Sequence, residues 1–562
     1  MKKNLIFLLL LYITAVSAQN TYRSPLDIPL VLSANFGELR PNHFHSGIDF
    51  KTQGVINKKV YAIEEGFISR ISVSPSGYGL ALYIDHPNGQ TSVYAHIESF
   101  IPRIADYVKA KQYEQESYKV DLVLRAGELP VTKGEFIAYS GNTGSSGGPH
   151  VHFEIRNTAD QVALDPLVYY KESIEDITPP QLRGIAVYPI ENVGIVNGNS
   201  EKVYRTSIKK DKKGEYLPIK DTIKVWGRVG VGVNTIDRMT GTNNIYGVKT
   251  VRLFCNDEEI FKSDITAVDF ADTRMINTMT DYDYWVNKRV FYEKSFIEPG
   301  NTLPIYTARN NGYIDVEEEK VYKLRYELED LYGNLTSYSF HINGVRQDFP
   351  KPKECTVMMR RNEDNFYEGD LFSITVPKNA LYKDHCFTLN KNFSNKRYMS
   401  SLYKVNDSYV PLDKSGEMTI KLTKDSLQNK FQYGIVKVTN NKESWVGGTY
   451  YNGAMTTKIS ELGGSYAVSY DVEAPEITPI QPAKWIAEGK IVIKVTDNKS
   501  GIASYRGTIN GEFALFEHDV KKPLYIYRFD PQRVKKGQTH KLVFTVTDAC
   551  GNQASYEYEF KY

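Results

Sequence analysis

Two short spacings in the first third of the chain have the residue types of a metal site. His45-Ser-Gly-Ile-Asp49 sets an imidazole and a carboxylate four residues apart, and His150-Val-His152 sets two imidazoles two apart. On a strand, side chains two or four apart leave from the same face. His150 and His152 therefore project together, and His45 and Asp49 converge if they begin a strand. A catalytic zinc site needs three protein ligands and a fourth position open to water, a need that two imidazoles and a carboxylate meet. Taken singly, each spacing is met as well by hydrogen-bonded strand histidines and a loop histidine, because such pairs recur by chance.

The segments around these residues read as short strands punctuated by glycine turns. Residues 66–73, 80–85 and 91–96 are strand-like, and Pro87-Asn88-Gly89 joins the last two as a hairpin. Phe36-Gly37-Glu-Leu-Arg40 feeds the His45 segment. Before His150 stands Gly141-Asn-Thr-Gly144-Ser-Ser-Gly147-Gly148-Pro149, glycine-dense enough for backbone to approach a substrate closely. Gly77-Tyr-Gly79 precedes one strand and Tyr94-Ala-His96 closes the hairpin. Residues 101–126 break the pattern and read as an insertion with helical content.

In this order, the motifs of residues 30–168 resemble the catalytic domain of the lysostaphin/LytM-type zinc metallopeptidases, which cleave peptide bonds in peptidoglycan. The resemblance implies that His45, Asp49 and His152 bind Zn2+, and that His96 and His150 are the catalytic pair. It implies peptidoglycan peptides as substrate, at a stem-peptide or cross-bridge bond. His43 and His86 are expected to be structural, and Glu154 to support or pair with a neighbour on its own strand face.

Composition bounds the remainder. At 562 residues the chain has room for three to five domains, and 41% hydrophobic with 24% charged residues excludes a mostly disordered chain. Lys plus Arg (69) nearly cancels Asp plus Glu (67), so the net charge of +2 provides no global attraction for nucleic acid. With 41 Tyr and 25 Phe the composition favours strands. Residues 1–18 read as a signal peptide, with Lys2 and Lys3, an apolar run and a small-residue cleavage site. No later segment is apolar enough to span a membrane, so an exported protein of the periplasm, envelope or exterior is expected. Cys255, Cys355, Cys386 and Cys550 permit two disulfides but fit free thiols equally well.

An internal repeat organises the C-terminal part. Leu324-x-Tyr-x-Leu-x-Asp330-x-x-Gly333-Asn334 matches Leu542-x-Phe-x-Val-x-Asp548-x-x-Gly551-Asn552, and the copies open at Asp176 and Asp471. Alternating strands ending in such turns point to β-sandwiches resembling bacterial immunoglobulin-like modules. The expected fold is mostly β: a lysostaphin-type antiparallel domain at 19–170, a sandwich with insertions at 171–345, a sandwich-like domain at 346–470 and a last module at 471–562. These modules are expected to target or regulate the enzyme, with envelope proteins as candidate partners. The alternative is a non-catalytic envelope protein on the same fold that binds or activates wall hydrolases. A third reading gives the main role to the C-terminal modules as an adhesive surface.

Overall fold

The computed structural model describes residues 22–351, 355, 357–392 and 397–562, so the expected signal peptide at 1–18 lies outside the described residues. The chain is mostly β, as its aromatic and alternating segments predict. Its N-terminal sheet contains β1 (Leu32–Ala34), β2 (Ile48–Lys51), β3 (Gly66–Val73), β4 (Leu80–Asp85), β5 (Gln90–Phe100), β6 (Val120–Val123), β7 (Phe136–Ser140) and β8 (His150–Asn157). Helix α1 (Pro102–Glu114) lies between β5 and β6.

The strands run antiparallel in the order β1-β2-β8-β5-β4-β3, with β7 added on β5 and β6 on β3. Period-two alternation on β8 sends Val151, Phe153 and Ile155 into the apolar core, where each is at most 1% exposed. His150, His152, Glu154 and Arg156 leave from the opposite face. The 101–126 segment becomes α1 and β6. Pro102 opens the helix at a position where its missing N–H costs nothing, and Ile104 and Val108 anchor it in the core.

That core extends past residue 170. Tyr246, Ile265, Val268, Ile276 and Met279 pack into the same cluster as Phe36, Phe44 and Ile155. Ala267–Val268 also pairs with Ala163–Leu164, which in turn pairs with β8. The insertions of the first repeat copy thus complete the N-terminal core.

The repeat copies and the segment between them are built of sheets. In the first copy the strands Gln181–Val196, Lys224–Ile236, Val321–Glu329 and Leu335–Gly344 belong to one continuous ten-stranded sheet. Lys224 and Val225 pair in parallel with Asn343 and Gly344 and join its two halves. The third segment has two five-stranded sheets and the last has two four-stranded sheets. Cys355 and Cys386 form a disulfide, whereas Cys255 and Cys550 are free.

Candidate metal centre

Strand register brings the distant motif residues together. His152 on β8 lies directly opposite Asp49 on β2 and Ala95 on β5. His45 sits just before β2, where its ring Nδ1–H donates to the Asn35 carbonyl at 2.7 Å. On the other side, His152 Nε2–H donates to Glu154 Oε1 at 2.7 Å. Each of these bonds fixes a tautomer and leaves the other ring nitrogen with a bare lone pair.

Those two bare nitrogens face one another. His45 Nε2 lies 3.0 Å from His152 Nδ1 and 3.1 Å from Asp49 Oδ1, and Asp49 Oδ1 lies 2.9 Å from His152 Nδ1. All three residues are buried. Three acceptors at such distances repel unless a proton or a cation sits among them. Ligands about 2.0–2.1 Å from a tetrahedral zinc stand about 3.3 Å apart, so the donor set suits that ion with little adjustment.

The surroundings supply the same electrostatic demand. Burial alone would pull the His152 imidazole down, but the Asp49 and Glu154 carboxylates outweigh this, favour positive charge between them and carry it up to about 9. Burial lowers His45, partly offset by Asp49. Burial would push Asp49 up, yet His45, His150 and His152 hold it well below the usual carboxylate range. Arg40 approaches Asp49 Oδ2 at 3.2 Å, which leaves Oδ1 to face the histidines. Glu154, fully buried, is held ionised by His152 and by Arg156 at 2.5 Å, and Tyr78 and Ser46 also donate to it. The Tyr78 ring stacks on His152 at 5.1 Å.

His96 and His150 stand beside this group. His96 Nδ1–H donates to the Thr143 carbonyl and His150 Nδ1–H to the Gly148 carbonyl, each at 2.8 Å, so both keep Nε2 as an acceptor. Their rings meet edge-on at 4.8 Å, and His150 Nε2 is 3.5 Å from Asp49 Oδ1. Burial, reinforced by the His152 and His150 rings, lowers His96 to about 3. By simple alternation His96 would face away, because Ala95 shares the face of His152. A left-handed backbone at His96 (φ 59°) with an irregular β4–β5 register turns the ring onto the site.

The glycine-rich turn before His150 serves two ends. A Cβ on Gly144 would come within 2.4 Å of Gly77 O, so this glycine lets the turn pack on the Gly77-Tyr-Gly79 loop. Gly147 and Gly148 have open space beside them. From the last module, Lys521 reaches the Asn142 carbonyl and lies 3.4 Å from that of Ser146, both in this turn. His43 is exposed and bonds Pro41, and buried His86 bonds Glu65 and Ser92, so neither joins the centre. Asn35, Arg40 and Tyr78 have positioning contacts that the motifs alone did not assign. Only the i, i+2 spacing of His152, Glu154 and Arg156 was a visible signal of that support.

Residues 43–113 match the family described as Peptidase family M23, and residues 356–471 match a Zu5-like domain. The N-terminal domain is a metallopeptidase domain of the M23 type, in line with the lysostaphin/LytM-type motifs. An uncharacterized metalloprotease of Haemophilus influenzae is 33% identical over 119 residues, 21% of this chain and 19% of that protein. The DD-carboxypeptidase/endopeptidase Mpg of Neisseria meningitidis serogroup B is 33% identical over 113 residues, 20% of each chain. The solved catalytic domain of lysostaphin from Staphylococcus simulans aligns at 23% identity with a TM-score of 0.19, covering 25% of this chain and 92% of that domain. The chain thus spans about a fifth of the length of the curated relatives it matches.

Proposed function

We propose that this protein is an exported zinc metalloendopeptidase that hydrolyses peptide bonds of peptidoglycan. The observation that carries the reading is the set of three facing acceptors, His45 Nε2, Asp49 Oδ1 and His152 Nδ1, each held in place by a partner on its far side. These residues would hold the ion. Zinc bound there supplies Lewis acidity, polarising a carbonyl and making water acidic near neutral pH. The remaining chemistry belongs to the chain. His96 and His150, anchored through Nδ1, each present Nε2 to accept a proton, and an imidazolium so formed can donate to an oxyanion or to the leaving amine. The open backbone at Gly147 and Gly148 leaves room for an extended peptide beside that pair. The match to Peptidase family M23 and the relative named DD-carboxypeptidase/endopeptidase Mpg support peptide-bond hydrolysis.

The test separates binding from turnover. The purified mature chain is expected to hold one zinc and to release muropeptides from cross-linked wall. His152→Ala should lose both, whereas His150→Ala and His96→Ala should keep zinc and lose at least about 100-fold in rate, as removal of a general acid or base does. A zinc-free wild-type chain with no cleavage would reject the enzyme in favour of a binding or activating role.

A further inference from the structure

The repeat holds a second kind of charged cluster, built from carboxylates outside the metal centre. Asp176, Asp237 and Asp330 each offer a carboxylate oxygen, these oxygens lie within 4.8 Å of one another, and all three residues are buried. Asp471, Asp497 and Asp548 repeat the arrangement in the second copy. The positions correspond one to one. Asp176 and Asp471 open their copies, Asp237 and Asp497 directly follow the strands Lys224–Ile236 and Lys490–Thr496, and Asp330 and Asp548 start the Asp-x-x-Gly-Asn turns. Even the supporting bonds recur: Thr240 N–H donates to Asp176 at 3.0 Å and Ser500 N–H to Asp471 at 2.9 Å.

These bonds order the carboxylates without neutralising them. The charges acting on Asp237 and Asp330 come from other Asp carboxylates, and among the described residues no Lys or Arg pairs with either. Asp176 is 5% exposed, yet its Oδ2 is buried with no hydrogen-bond partner. The Tyr332 hydroxyl beside it is equally orphaned. In the second copy Asp497 Oδ1 and Ser500 Oγ are in the same condition. A buried acceptor left unmatched costs about 1–3 kcal/mol, more when charged, so one unmatched carboxylate oxygen in each cluster, though at different members, points to an occupant.

The first cluster lines a cavity of about 20 Å³ shared with Asn35, Asp165 and Tyr332. That is room for one water-sized occupant. Lys249 in the wall is bonded to Asp264 at 2.5 Å. We propose that Asp176, Asp237 and Asp330 bind a calcium ion at the junction between the first copy and the N-terminal domain. All-oxygen, carboxylate-rich surroundings select a hard cation over zinc, and a cavity for one occupant disfavours magnesium, which keeps several waters. Asn35, in the same wall, exchanges two hydrogen bonds with Gly247 of the first copy, at 2.8 and 2.9 Å. The ion would therefore reinforce a contact between the two units.

Calcium is titrated calorimetrically into the full chain carrying one equivalent of zinc, and thermal unfolding is followed with and without millimolar calcium. Binding near 100 times the dissociation constant should raise the calcium-sensitive transition by about 5 °C. Asp237→Asn should lower the calcium stoichiometry by one while its calcium-free Tm equals or exceeds that of the wild type, which separates lost binding from misfolding. An unchanged stoichiometry in Asp237→Asn, or no calcium response in the wild type, would overturn the proposal.

Discussion

The two repeat copies hold the N-terminal domain by different physics. The first contributes Tyr246, Ile265, Val268, Ile276 and Met279 to a common apolar core and adds a strand pair at Ala163–Leu164. The second touches by polar and cation–π contacts: Lys109 to Asp530 at 2.8 Å, Glu116 to Arg506 at 2.6 Å, Val520 N–H to the Pro75 carbonyl at 3.1 Å, and Arg533 over the Tyr113 ring. Lys109, Glu116 and Arg506 are each about half exposed, and only Asp530 is buried. Apolar burial is insensitive to salt, whereas exposed ion pairs are screened and weak. The first contact makes one folding unit of two segments that the repeat arithmetic separates. The second is releasable, although it reaches the turn that carries His150.

The largest expected effect comes from where the chain is cut. Ending it at residue 175 removes seven core side chains, Met239 and Leu303 besides those five, at roughly 1.5–3 kcal/mol each, a sum comparable with the stability of a whole domain. That fragment should fail to stay folded, whereas a chain ending at 470 should keep cooperative unfolding and its zinc content. Equal behaviour of the two fragments in thermal unfolding would erase the contrast.

Single substitutions sharpen it. Ile265→Ala should destabilise by about 2–4 kcal/mol through a cavity in the shared core. Arg506→Ala, whose partner Glu116 is equally half exposed, should cost less than about 1 kcal/mol. Denaturant midpoints give both values. Similar costs at the two sites would mean that the second contact is not the weak one.

A pH effect should arise at Glu293 in the first copy. Burial pushes the Glu293 carboxyl, whose partner is the Thr235 hydroxyl, up to about 7. A carboxyl raised in the folded state binds its proton more tightly there. Its contribution is therefore full below the unfolded value near 4.3 and is lost as pH rises through about 7. Glu293→Gln should remove this loss, recovering on the order of 2 kcal/mol at pH 8 in calorimetric unfolding and little at pH 4.

Much of the centre could be read from residue order. Strand periodicity alone sets His150 and His152 on one face and sends Val151, Phe153 and Ile155 to the other, because that periodicity is a local property of extended backbone. The repeated Asp-x-x-Gly-Asn turns were equally visible, since turn chemistry is also local. Asp237 and Asp497 were not matched in the repeat, because each lies at a strand end whose distance from the turn differs between copies.

What pairing and packing decided is everything that joins distant parts. Strand register, not spacing, puts Asp49 opposite His152, and an irregular, left-handed residue brings His96 to a face that alternation denies it. The tautomers of His45 and His152 depend on Asn35 and Glu154, one from another loop and one from the strand itself. Local backbone preferences act over a few residues, so they write themselves into sequence. Which surfaces then bury one another is settled only when the whole chain competes for the same apolar interior.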